Sequence, residues 1–250
     1  MKKIFTLLLF LIPPSSSLFA CDCVDNISVG QTYATSDFVG RVKVVSIYEN
    51  IAEIKLLTKY KGKAPRKIEF TTALESGILG GAMCEISIKQ NQEWLFAISK
   101  NKSGVYHINS CSFAVKLQNR NGNQLQNKKA VEYLTYFNLL KAKVPNLNTK
   151  YNIFESKNRI SHYLNKFDGQ TFGEKSAHYL IKFTQELEVD EVQILKSFSD
   201  SFNRKLITFL KEKTSWQTIG TQLTDSKEIL YVLDIYYYSE EKNFLSTYRL

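Results

Sequence analysis

Phe38-Val39-Gly40-Arg41-Val42-Lys43-Val44-Val45-Ser46-Ile47-Tyr48 is dense in valine and isoleucine, the β-branched residues that fit a pleated surface. A short polar break follows, and Ala52 to Tyr60 reads as a second strand. Further along, Lys67 to Thr72 alternates, Glu93 to Ile98 holds Trp94, Leu95, Phe96 and Ile98, and Gly104 to Asn109 leads to Cys111. Five strands at close spacing, with turn chemistry between them, predict a small closed β-barrel. The oligonucleotide/oligosaccharide-binding (OB) type is the common five-stranded solution, although periodicity alone leaves a sandwich open. The 14 Tyr and 16 Phe against 2 Met point the same way, towards β-rich structure.

Upstream, Lys2 and Lys3 precede the apolar run Ile4 to Ile12, then Pro13-Pro14, a serine patch and Leu18-Phe19-Ala20. This is the order of a secretory signal peptide over residues 1–20, too short in its apolar part to span a bilayer as a mature helix. Its removal takes away two lysines and lowers the formal charge from +9 to +7. A basic exported protein is drawn to acidic surfaces. Here the lysines are scattered and no nucleic-acid motif occurs, so the charge reads as a solvated surface with no nucleic-acid partner.

Cys21, Cys23, Cys84 and Cys111 are an even set in a chain bound for an oxidising compartment, so two disulfides are expected. Cys21 and Cys23 are too close to bridge each other. Two pairings remain: Cys21 to Cys84 with Cys23 to Cys111, or the crossed alternative. Each long loop so closed stabilises a fold by roughly 4 kcal/mol in the chain-entropy model. A competing reading is that Leu18-Phe19-Ala20-Cys21 resembles a bacterial lipoprotein cleavage box. Cys21 would then carry lipid, anchor the chain to a membrane and leave an odd number of cysteines. No histidine stands at ligand spacing from these cysteines, so no zinc site of the protein's own is expected.

Cys21-Asp22-Cys23-Val24 as a processed start, Ser36-Asp37-Phe38-Val39, Glu53-Ile54-Lys55 to Lys59-Tyr60-Lys61-Gly62, Ala73-Leu74-Glu75-Ser76, and Ser110-Cys111-Ser112-Phe113 come in order. Together they resemble the inhibitory, netrin-like domain of the tissue inhibitors of metalloproteinases, over residues 21–120. The resemblance implies an OB-type barrel stapled by Cys21–Cys84 and Cys23–Cys111. It also implies a mechanism, in which the free α-amino group and carbonyl oxygen of Cys21 chelate the catalytic zinc of a partner protease. An α-amino group of pKa about 8 is readily freed of its proton near a metal. By the same resemblance Asp22 enters the protease's main specificity pocket, and Cys23, Val24, Ala82 and Met83 line the contact ridge. Four departures stand out. Asp22 replaces a small hydroxyl residue and would be costly to desolvate; a third cysteine pair is missing, Thr35 standing near one position; and Gly77 to Gly81 alters the loop before Cys84. The family's cysteine-rich second domain has no counterpart here.

Asn119 to Asn123 is a polar break, and Ala130, Val131, Leu134, Phe137 and Leu140 then follow helical spacing until Pro145. Residues 121–149 therefore read as a helical linker. A smaller α+β domain is expected over 150–250, with strands at Tyr179 to Phe183, Val189 to Leu195 and Ile229 to Tyr238. A helix over Phe202 to Leu210 lies between the second and third, and helices should cover one face of the sheet. Its apolar spacing and Trp216 are similar to the C-terminal domain of TonB energy transducers. His107, His162 and His178 sit in no nucleophile or zinc-protease pattern and read as ordinary surface or core residues, so no enzyme and no cofactor is expected. The leading expectation is a secreted or envelope-located inhibitor of a zinc metalloprotease. The alternative is a non-inhibitory binding or scaffold protein of the bacterial envelope that reuses the same barrel.

Overall fold

The computed structural model describes residues 28–71, 86–109, 111–117, 119–120, 124–125, 128–151, 153–218, 228–239 and 242–247. The first helix, α1 (Val29–Thr35), leads directly into β1 (Phe38–Tyr48), which turns back into β2 (Ile51–Gly62). Gly62 closes this unit with φ +71°, and a Cβ there would strike the Asp37 carbonyl, so only glycine fits. β3 (Lys67–Phe70), β4 (Glu93–Ile98), β5 (His107–Ile108) and β6 (Phe113–Leu117) complete a six-stranded sheet in the order β5-β3-β2-β1-β4-β6.

The pairing curls this sheet. β1 pairs antiparallel with both β2 and β4, and β3 runs parallel to β5. The two edge strands, β5 and β6, are separated in sequence only by residues 109–112, so the edges are drawn towards each other into a half-barrel. Its concave side holds Phe38, Val42, Val44, Ile68, Trp94 and Phe96, the alternate residues of the strands. Val39, Tyr60, Leu95, Ala97 and Leu117 point to the other side and meet helices. β4 is buried on both faces, which is why Trp94 to Ile98 reads as an unbroken apolar run. Two expected strands are shorter than their sequence suggested, β3 ending at Phe70 and β5 spanning two residues.

A small ladder, β7 (Asn119–Arg120) with β8 (Gln124–Leu125), precedes α2 (Lys128–Lys143). Next come β9 (Ile153–Lys157), α3 (Ile160–Leu164) with a 3-10 turn at Asn165–Phe167, β10 (Ser176–Phe183) and β11 (Val189–Lys196). The chain ends with α4 (Asp200–Glu212), β12 (Ser215–Thr218), β13 (Ile229–Tyr238) and β14 (Phe244–Ser246). β11-β10-β13-β14 form an antiparallel sheet, and β12 pairs with β9. α4 starts cleanly because the Ser199 hydroxyl accepts the Phe202 N–H.

Helices cover both faces of this second sheet, where one face was expected. Tyr179, Ile181, Phe183, Leu233 and Ile235 pack under α3 and α4. Leu195, Leu230 and Val232 face the opposite way, into a core shared with α1, α2 and the outer side of the half-barrel. The reason lies in β13, Ile-Leu-Tyr-Val-Leu-Asp-Ile: apolar residues of both parities need cover on both sides. The molecule is thus mostly β, a half-barrel joined to a smaller α/β part, with α1 and α2 between the two sheets.

Candidate functional site

Of the residues expected to form the inhibitory edge, Cys21, Asp22, Cys23, Val24, Ala82, Met83 and Cys84 lie outside the described residues. Cys111 is described, exposed and disulfide-bonded, its partner being outside the described residues. It sits in the turn between β5 and β6, where its N–H donates to Asn109 Oδ1 at 3.0 Å. The chain leaves β3 close by: Thr71 N–H donates to Ile108 O at 2.9 Å, and Thr71 Oγ1 lies 3.0 Å from His107 Nε2. Thr71, the last described residue after β3, therefore lies at the same end of the half-barrel as Cys111.

The segment bearing Cys21 and Cys23 runs into α1, which is fastened along its length. The Ser28 hydroxyl accepts from Gln31 N–H and donates to Val232 O. Gln31 accepts from Val232 N–H at 3.1 Å and donates to Tyr151 O at 3.3 Å. At the other end the Lys61 ammonium donates to Tyr33 O and Ala34 O at 2.9 and 2.7 Å, filling carbonyls that the helix end leaves open. Burial lowers the Lys61 pKa to about 8, opposed in part by Asp37, and burial pushes the Tyr33 hydroxyl up to about 12.

A second constellation was not anticipated. Asp234, 1% exposed, receives the Gly30 N–H at 2.8 Å on Oδ2, while Oδ1 takes the Tyr136 hydroxyl and lies 2.9 Å from His178 Nδ1. Burial, and then the adjacent carboxylate, hold the Tyr136 proton well above the usual tyrosine range, so Tyr136 donates. With Tyr136 donating to the same oxygen, Nδ1 is the His178 nitrogen that carries a proton towards Asp234, and in the neutral tautomer Nε2 is the one with a lone pair. The Tyr136 and His178 rings stack at 4.0 Å. α1, α2, β10 and β13 each supply one member, and a Cβ on Gly30 would collide with Val232 and the Tyr136 hydroxyl. The one signal in the sequence was Asp234 itself, a carboxylate inside an apolar strand, which burial permits only with partners.

His107 is half-buried and His162 exposed. Among the described residues no group of three or more His, Cys, Asp and Glu could hold a metal, and no helix is long and apolar enough to cross a membrane. No protein-family model and no curated protein matches this chain.

Proposed function

We propose that this chain is an exported inhibitor of zinc metalloproteases, acting through the amine and carbonyl of Cys21 once residues 1–20 are removed. The observation that carries the reading is the connectivity of the first sheet. With β5 and β6 counted as one strand interrupted at residues 109–112, the neighbours run β1-β2-β3-(β5/β6)-β4-β1. This order is in keeping with the five-stranded barrel of the OB type that the netrin-like resemblance implies. The disulfide at Cys111 is in keeping with the Cys23–Cys111 bridge, and Cys21–Cys84 would be the second staple.

The chemistry follows from rigidity. A chelating amine loses less entropy on binding when its segment is already held. Val24 lies four residues before Ser28, where the fastened helix begins. Asp22 selects the target: a carboxylate is costly in an apolar specificity pocket unless a positive group awaits it. The preferred protease would therefore carry a cation there.

Mass spectrometry of the mature protein should find an unmodified amine on Cys21, and adding one alanine before Cys21 should abolish inhibition of a zinc endopeptidase. Inhibition that survives the extension rules out chelation. A lipidated Cys21 would leave the alternative, a non-inhibitory envelope scaffold.

A further inference from the structure

We propose that the cleft between α2 and β10 is a binding site for a neutral aryl hydroxyl compound, recognised by His178. This assignment is independent of the protease-inhibitor reading. The cleft has a volume of about 570 Å³, room for a ring and its substituents. Its walls are Val131 and Leu139 from α2, with the rings of Tyr136 and Tyr236. Tyr236 meets His178 edge to face at 6.3 Å.

His178 is the group that gives the cleft its chemistry. It is 4% exposed, and its Nδ1 is committed to Asp234. Among the described residues Trp216 Nε1 is the one fully buried side-chain nitrogen or oxygen without a partner. Nε2 of His178 has no hydrogen bond either, so the opening that reaches it is the cleft His178 lines. Asp234 fixes the ring from behind, and Tyr136 fixes it from one face, so Nε2, which bears the lone pair in the neutral tautomer, has no freedom to turn away. An occupant must therefore offer a donor to that nitrogen.

The rim sets the charge of the occupant. Glu174 and Lys196 pair at 2.9 Å, and Lys175 and Glu132 add one charge of each sign. With no net charge around the opening, an ionic ligand gains no attraction that offsets its desolvation. Thr135 turns its hydroxyl into its own helix, donating to Val131 O at 2.9 Å. A sugar, with hydroxyls all round its ring, would leave several of them unpaired against the apolar walls. A flat ring with one hydroxyl meets both requirements: its face lies on the apolar walls and its O–H donates to Nε2.

The test uses the full mature chain, with 4-methylphenol, toluene and methyl glucoside as probes at a pH of about 8, above the usual imidazole range and below the phenol pKa of about 10. Nitrogen-detected NMR should show the His178 Nε2 resonance moving with 4-methylphenol. The phenol should bind about tenfold or more tightly than toluene, the loss expected when a buried acceptor is left without its donor. Val131 is 43% exposed, so Val131→Trp can fill the cleft without entering the core. It should abolish phenol binding with the melting temperature unchanged. Equal binding of toluene, tighter binding of the glucoside, no shift of Nε2, or phenol binding that persists in a folded Val131→Trp protein each overturn the assignment.

Discussion

Lys61 is an ammonium placed where solvation is poor, held by two main-chain carbonyls at the end of α1. Its native pKa of about 8 lies below the ordinary lysine value of 10.5, because burial disfavours the charge. Between those two values the unfolded chain binds more protons than the folded one, so stability rises with pH across that window. Below about 8 the contribution of Lys61 is at its least favourable, and above 10.5 it no longer changes. Urea titrations of the wild type and Lys61→Met at pH values from about 7 to about 10.5 should therefore diverge in slope, the wild type gaining stability relative to the variant as pH increases. Parallel curves would show that the ammonium is solvated after all. Asp234 is the other residue whose neighbours decide its behaviour. Its three donors come from residues 98, 204 and 56 positions away in sequence, which is why no local pattern disclosed them.

Among the elements, those with a strong local signal were readable in advance. Glu93 to Ile98 has an apolar residue at every position from Trp94 to Ile98, and Phe202, Leu206 and Leu210 mark one face of α4. α1 was not readable. Val-Gly-Gln-Thr-Tyr-Ala-Thr has no apolar stripe, and the helix exists because Gly30, Gln31 and the Tyr33 and Ala34 carbonyls are bonded to distant partners. The short strands β9 and β12 escaped for the same reason, since each is completed by the other across a long interval. The candidate site was legible only through Cys111, the remaining expected residues lying outside the described part. α2 was visible as a helix, but the sequence did not say that Phe137 would be enclosed by Tyr33, Tyr60, Phe113 and Tyr136. Phe137→Ala should cost about 3–5 kcal/mol in urea unfolding. Val131→Ala, on the exposed side of the same helix, should cost less than about 0.5 kcal/mol. Equal losses at the two positions would mean that α2 is not packed on both sheets.

Among the described residues the two sheets share one core, so they cannot part without exposing apolar surface. Leu95, Phe137 and Val232, from the half-barrel, α2 and the second sheet, lie in one core. Calorimetry of the full chain should accordingly show one unfolding transition, with calorimetric and van't Hoff enthalpies in agreement. Two resolved transitions would contradict a shared core. The fastening of α1 to β13 has a further consequence for biogenesis. Ser28 and Gly30 find their partners at Val232 and Asp234, 204 residues further along. Contacts so remote in sequence are slow to form, and the ribosome must deliver nearly the whole polypeptide before the first helix has its seat. Until β13 emerges, the capping hydroxyl of Ser28 and the N–H of Gly30 have no partner on that strand, so α1 docks after the first sheet has paired.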